Sequence, residues 1–286
     1  MLLLVDLDGV VYRGADPVPG VAVVLADRAA RGDDIVYVTN NSMHYRADYV
    51  DRLAAMGAPV AADRVVSSGR ATALYLQELT PRPRRILALG AAGLRRELED
   101  CGFDVVSAAD AAARAEADGT NGFEAAGRPD AVVVGLDPEL TYGRLAVAAD
   151  AIRRGARFVA TNRDPVYPME RGLMPGAGSI VAAVEATTGI SPVSIGKPAP
   201  LLLRLAAEAV GANARDAVMI GDGIRTDLAA ARAVGARMVL MLTGVTSRAD
   251  LDALPVDERP TAVAADAVEL AAALDRLAVP PRSPGG

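Results

Sequence analysis

The sequence predicts an α/β fold: a mostly parallel sheet with helices on its faces, and a second α/β domain inserted into the first. Three observations predict it. Runs of wholly apolar residues at 2–5, 35–38 and 217–220 lack the alternation of a half-exposed strand, as expected of strands buried on both faces. They alternate with stretches of helical period, which is the pattern of βαβ units. There are more such units than one sheet of this size usually holds. Two breaks, Pro81-Arg82-Pro83 and the Pro- and Gly-rich stretch 163–178, bracket the place where an insertion would sit.

The opening strand, 2–5, runs into Asp6 and Asp8. Two residues apart on an extended chain, their side chains leave on the same side. Gly9 then lets the chain turn. Two carboxylates together at a strand end repel unless a cation or a proton lies between them.

A helix is expected over 21–30, then a strand over 35–38 ending in Thr39-Asn40-Asn41-Ser42. A helix over 46–56, a short strand at 65–66 and a helix over 69–79 complete the first stretch. After the Pro81 break come a strand from 86, a helix over 94–100, a strand at 105–106 and an Ala-rich charged segment, 108–128, read as loop with a short helix. A strand over 131–134, a helix over 142–154 and a strand over 158–160 follow. The stretch 163–178 reads as a long connection, and a loop of that length is usually functional.

Beyond it the pattern gives a helix over 179–188, a strand over 193–195, a helix over 201–210, a strand over 217–220 and a helix over 226–234. A strand over 237–242, a short strand at 262–263 and a helix over 267–277 close the fold. The expected division is a core of 1–80 and 178–279, an insert of 81–177, and a disordered tail over 280–286.

The chain has 286 residues, 51% hydrophobic and 23% charged, enough to bury a full core. A net charge of −6 without a long basic cluster argues against a nucleic-acid surface. Arg82-Pro83-Arg84-Arg85 is short and reads as a solvated boundary. The single cysteine, Cys101, excludes an internal disulfide framework and any multi-cysteine metal site, and reads as a packing residue. The single histidine, His44, excludes a His-rich metal centre and reads as a surface residue at a helix start. With no basic leader and no 18-residue apolar run, the protein is expected to be soluble and cytoplasmic, with no membrane partner.

In open α/β sheets ligands bind outside the carboxyl ends of the strands. The residues there are Asp6 and Asp8, then Thr39-Asn40-Asn41, Gly196-Lys197, and Gly221-Asp222-Gly223 with Thr226-Asp227. Each group alone is a common turn or cap. Together they are what phosphoryl transfer assisted by Mg²⁺ requires: oxygens for a hard cation, donors for phosphoryl oxygens, and a positive charge. A receiver-like signalling module, which accepts a phosphoryl group and holds it, uses a similar set. An acid two residues from the nucleophile, at Asp8, argues for turnover instead.

Asp6-Leu7-Asp8-Gly9-Val10, Thr39-Asn40-Asn41-Ser42, Gly196-Lys197-Pro198 and Gly221 to Asp227 resemble the four motifs of the haloacid-dehalogenase-like phosphatases. The branch they resemble is subfamily IIA, which contains para-nitrophenylphosphatases and phosphatases of phosphoglycolate, glycerol 3-phosphate, pyridoxal phosphate and nucleotides. The resemblance implies a Rossmann-like core with an inserted cap of the C2 type. It implies Mg²⁺ as cofactor and a small phosphate ester as substrate, glycerol phosphate and phosphoglycolate being the first expectations. A phosphotransferase or mutase of the same superfamily is the nearer alternative.

By the same resemblance Asp6 is the nucleophile and Asp8 the acid and base. Asp6, Asp8 and Asp222 hold the metal, one of the opening pair through its backbone carbonyl, and Asp227 supports them from behind or through water. Thr39, Asn40, Asn41 and Lys197 hold the phosphoryl group, and cap-mediated homodimers are a family expectation. Phe158-Val159-Ala160-Thr161-Asn162 nearly repeats Val36-Tyr37-Val38-Thr39-Asn40, so either could be the phosphate-binding strand end. Family order favours Thr39. Loop 163–168 matches the family's substrate-contacting cap loop, with Tyr167 where some members carry a histidine; Tyr167 either contacts substrate or packs the cap.

Overall fold

A computed structural model describes residues 1–169 and 172–278. The expected tail over 280–286 lies outside the described residues.

The opening strand, Leu2–Asp6, is central in a six-stranded sheet whose order is Ala262–Ala264, Arg237–Met241, Val218–Gly221, Leu2–Asp6, Asp34–Thr39, Val65–Ser67. All of its pairings are parallel. Leu4 packs into one apolar cluster while Leu3 and Val5 pack into the other, which is why no polar residue interrupts the run. The chain builds outward from Leu2–Asp6 on one side and returns to build the other side from Val218–Gly221. The strand order therefore reverses beside the opening strand, where α/β sheets open a crevice at the carboxyl ends.

A second sheet of five parallel strands has the order Val193–Ser194, Arg157–Ala160, Ala131–Val134, Arg85–Leu89, Asp104–Ser107. Its membership corrects the expected boundary at 177. Val193–Ser194 belongs to this sheet, and Ile180, Val181 and Val184 of helix Ala177–Thr188 pack in the apolar core beneath it. The insert thus extends to Ser194.

The two sheets are not separate bodies. One apolar cluster takes in Leu4, Val36 and Val38 of the first sheet and Ile86, Ala88, Val133 and Val159 of the second. Helices Ser68–Glu78, Ala92–Asp100 and Leu201–Glu208 contribute Leu76, Leu94, Leu98 and Leu202 to it. A polar clasp reinforces the seam. The buried carboxylate of Glu97 accepts from the Arg46 backbone N–H at 3.0 Å and pairs with the Arg46 guanidinium, which also reaches Asp100.

Two further expectations need revision, and one element is new. The stretch 163–178 is not structureless: Val166–Met169 and Gly172–Pro175 form an antiparallel hairpin. Residues 108–118 form a full helix, Ala108–Asp118, with Ser107 accepting the Asp110 N–H as its cap. A small hairpin, Tyr12–Arg13 with Asp16–Pro17, follows the aspartate pair and had no sequence expectation. Among the described residues no helix is long and apolar enough to cross a membrane.

Candidate active site

Strand register brings the acidic residues together. Val5 lies beside Ile220 and Asp6 beside Val38, so Thr39 and Asp222 project just past the same edge. Asp227 arrives from a π-helical turn, Ile224–Leu228, ahead of helix Ala229–Val234. Sequence periodicity had run one helix through both. The wide turn lets the Asp227 carboxylate fold back onto the Gly223 N–H, at 2.9 Å.

The carboxylates of Asp6, Asp222 and Asp227 each offer an oxygen within 4.8 Å of the others, and all three residues are buried. Lys197 lies between two of them, its Nζ 2.7 Å from Asp6 Oδ1 and 2.6 Å from Asp227 Oδ1. Burial holds Asp6 well above the usual carboxylate range; the Lys197 charge opposes it, and Asp227 and Asp222 add to it. Burial also pushes Asp222 up to about 6, helped by Asp227 and opposed by the Val245 N–H. Burial alone would lower the Lys197 pKa, but Asp227 and Asp6 outweigh it and the ammonium is held charged.

With all three carboxylates ionised, one ammonium would leave two negative charges in a buried site. That is an unfavourable arrangement unless a cation joins it. An all-oxygen donor set suits a hard divalent ion such as Mg²⁺.

The backbone around Asp222 is shaped for close approach. Gly9 has φ +80°, and a Cβ there would lie 2.2 Å from Asp222 Oδ2; one at Gly244 would lie 1.7 Å away. The loop after strand Arg237–Met241 closes the cradle: Val245 N–H donates to Asp222 Oδ2 at 2.7 Å, Thr243 Oγ1 donates to the Gly9 carbonyl at 2.6 Å, and Thr246 Oγ1 donates to the Asp222 carbonyl at 2.5 Å. This loop had no place in the sequence reading. Its signal was available, since Thr243-Gly244 follows a buried strand as Thr39-Asn40 does.

Other expected residues are placed differently from one another. Asp8 is exposed and its carboxylate lies outside the three-carboxylate cluster; of the expected set Asp6, Asp8 and Asp222, the structure brings together the carboxylates of Asp6 and Asp222, with that of Asp227 beside them. Protein surrounds Asp8 on most sides even so, and this desolvation raises its pKa, with Arg52, Lys197 and His44 opposing. Asn40 is spent as a clamp. Its Nδ2 donates to Asp164 Oδ2 and to the Lys197 carbonyl, at 2.9 and 2.8 Å, and its Oδ1 accepts the Lys197 N–H at 2.8 Å. Asn41 Oδ1 accepts the Met43 N–H at 2.9 Å.

Tyr167, half-buried on the hairpin, faces the Asn41 amide, Asp8 and Arg52, and burial raises its pKa. Thr161, the rival of Thr39, is fully buried against Ser42 Oγ at 3.3 Å. His44 is exposed just ahead of helix Arg46–Ala55, and Cys101 is a buried free thiol.

Comparison with known proteins fits this geometry. Residues 3–104 match the family described as haloacid dehalogenase-like hydrolase, and residues 194–270 match a second domain description of the same superfamily. A 5'-nucleotidase of Bacillus subtilis is 34% identical over 245 residues, 86% of this chain and 88% of the relative. The chain belongs to the haloacid dehalogenase-like hydrolases. Its relatives are named nucleotidases and phosphatases, and the chain is an enzyme of that phosphatase type.

An acid sugar phosphatase of Staphylococcus aureus is likewise 34% identical, over 87% of this chain and 88% of that protein. Among solved structures, a p-nitrophenyl phosphatase from Archaeoglobus fulgidus superposes with a TM-score of 0.83 at 30% identity, covering 95% of this chain and 98% of that one. A glycerol phosphate phosphatase from Mycobacterium tuberculosis, solved with magnesium, superposes with a TM-score of 0.79 at 36% identity, covering 94% of this chain and 75% of that one. In this haloacid dehalogenase-like phosphatase the six-stranded sheet is the Rossmann-like core and the second sheet is the cap.

Proposed function

We propose that the protein is a Mg²⁺-dependent phosphomonoesterase that hydrolyses a small phosphorylated metabolite through an aspartyl phosphate on Asp6. One observation carries the reading: Lys197 bridges Asp6 and Asp227 inside a buried cluster of three carboxylates. Asp6, Asp222 and Asp227, with a backbone carbonyl of the opening turn, would hold the cation. When bound, it supplies positive charge against the phosphoryl oxygens and neutralises the carboxylates.

The residues divide the work by environment. Lys197 holds one Asp6 oxygen at 2.7 Å, which favours the ionised carboxylate and orients the other oxygen for attack on phosphorus. Asp8 has no such contact and a raised pKa, which suits an acid that arrives protonated. As Asp6 bonds to phosphorus and the ester P–O bond breaks, Asp8 gives its proton to the leaving oxygen. Asp8 then takes a proton from water, the water oxygen attacks phosphorus, and the bond to Asp6 breaks to release phosphate.

Thr39 accepts the Asn41 N–H at 3.1 Å, which leaves its hydroxyl proton to donate to a phosphoryl oxygen. Asn40 would act by fixing Lys197 rather than through its amide. Asn41 and Tyr167 stand on the substrate's side of Asp8. The cap over the crevice favours small esters such as glycerol phosphate or phosphoglycolate, and the setting we infer is the cytoplasm.

Asp6→Asn is the test. Release of inorganic phosphate from para-nitrophenyl phosphate with Mg²⁺ should fall by about 10³-fold or more, with an unchanged circular dichroism spectrum. Persistent turnover would rule out Asp6 as nucleophile. Transfer of phosphate to an added alcohol in preference to water would mark a phosphotransferase.

A further inference from the structure

We propose that a basic cavity at the amino ends of the cap strands is a binding site for a polyphosphate anion. The cavity, about 440 Å³, is lined by Arg82, Arg84, Arg128, Arg154 and Arg157, with Asp130 its only acidic side chain. A volume of this size admits a nucleotide-sized ligand. Five guanidiniums around one opening stand out in a chain of net charge −6.

Ordinary structural needs account for only part of this cluster. Arg128 and Arg154 follow helices Gly122–Ala125 and Tyr142–Arg153, where a cation is favoured by the helix end. Each already pairs with an acid, Glu124 and Asp150, at 3.0 Å. Arg82 donates to the Cys101 carbonyl at 2.5 Å and stacks on Phe103. Arg84 and Arg157 have no such partner: both are exposed, and among the described residues neither side chain makes an ion pair or hydrogen bond. Asp130 makes no ion pair with either side chain: its Oδ2 accepts the backbone N–H groups of Arg84 and Arg85, at 2.7 and 2.9 Å, and its one negative charge offsets only part of the cluster.

The framework is rigid where the charges converge. Arg84 lies next to strand Arg85–Leu89, Arg157 begins strand Arg157–Ala160, and Asp130 ties the two by accepting the Arg157 N–H on its carbonyl at 2.9 Å. Pro81, Pro83 and Pro129 stiffen the rim, and Phe123 gives it an apolar wall. Strand Ala131–Val134 lies between the strands that Arg84 precedes and Arg157 begins, so the two backbones stand two strand spacings, about 10 Å, apart, and their free guanidiniums can each fork onto a different phosphate group of a chain. The cavity and the phosphatase centre lie at opposite ends of the cap strands, whose four-residue length alone spans about 13 Å.

Calorimetric titration of the full chain in EDTA, with tripolyphosphate, ATP and inorganic phosphate, tests the site. Tripolyphosphate and ATP should saturate below about 1 mM, and inorganic phosphate should bind at least about tenfold more weakly. Arg84→Ala with Arg157→Ala should weaken both polyphosphates by about tenfold or more, while the double Arg→Lys variant keeps part of the affinity. The alanine pair should melt at the same temperature and hydrolyse para-nitrophenyl phosphate at the same rate. Unchanged polyphosphate affinity in the alanine pair, or no saturable binding to the unaltered chain, would overturn the proposal.

Discussion

The two sheets repeat one architecture with opposite chemistry at their carboxyl ends. Past the core strands stand Asp6, Thr39 and Asp222; past the cap strands stand Gly90, Ser107, Gly135 and Thr161. The core end is acidic and buried, the cap end neutral and small. Gly135 shows why: a Cβ there would lie 2.8 Å from Ser42 Oγ and 3.2 Å from Thr161 Oγ1, so the cap end is shaped to press against the core. Lys197 follows the cap's edge strand Val193–Ser194 by three residues and enters the carboxylates of the core, while Asp164 of the cap accepts from Asn40 at 2.9 Å. A shared centre built this way ties catalysis to cap position.

Replacing that lysine should therefore have the largest effect. In Lys197→Met, two buried carboxylates lose their only cationic contact. Turnover should fall by about 10²–10³-fold, and the Mg²⁺-free protein should lose about 3–5 kcal/mol in urea denaturation. Added Mg²⁺ should restore more stability to the variant than to the parent, since more negative charge then awaits a cation. Equal Mg²⁺ effects on both proteins would break the picture of one cluster shared between ammonium and metal.

The twin threonines give a sharper contrast. Thr39→Val removes a donor beside Asp6 and should lower kcat/KM by about 10- to 100-fold with little change in melting. Thr161→Val removes the buried partner of Ser42 and should cost about 1 kcal/mol of stability while kcat stays within about twofold. Identical kinetic losses in both variants would mean that the two strand ends are not functionally distinct.

A smaller effect is expected from pH. Asp222 and Asp6 have folded-state pKa values above those of an unfolded chain, Asp222 at about 6. The folded metal-free protein thus binds more protons than the unfolded one between about pH 4 and 6, so acidification through that window relieves its buried charge. Above it the relief is gone and a cation must supply it. Saturating Mg²⁺ should raise the melting temperature more at pH 8 than at pH 5, by a few degrees in calorimetry; a larger rise at pH 5 would contradict the carboxylate cluster as the metal site.

What was legible in the sequence follows the same division. The buried strands of the core could be read because parallel strands covered on both faces leave unbroken apolar runs, as in Leu2–Asp6. The residues after them could be read because strand ends in such sheets gather at one edge. Sheet membership could not. Val193–Ser194 and its neighbours look like any core strand, and only the pairing with Val159 and Ala160 assigns them to the cap. The fold-back of Asp227 towards Asp6 and Asp222 could not be read, because a π-helical turn carries no periodic signal distinct from an α-helix. Hairpin Val166–Met169 with Gly172–Pro175 was hidden by its prolines, which usually mark loops but are tolerated on an isolated two-stranded ribbon. The side-chain partners of Asn40, Asp164 and Lys197, could not be read because they lie far along the chain.

That hairpin is the cap's second contribution to the site, and it gives the smallest predicted effect. Tyr167, half-buried on that ribbon, faces Asp8 and the Asn41 amide. If Tyr167 positions the organic part of the ester, Tyr167→Phe keeps the ring and its packing and removes only the hydroxyl. KM for a hydroxylated substrate such as glycerol phosphate should then rise about three- to tenfold, because one hydrogen bond contributes about 0.5–1.5 kcal/mol. KM for para-nitrophenyl phosphate, whose ring offers no hydroxyl, should stay within about twofold. If the residue only packs the cap, Tyr167→Phe leaves both KM values alone, and Tyr167→Ala raises both together.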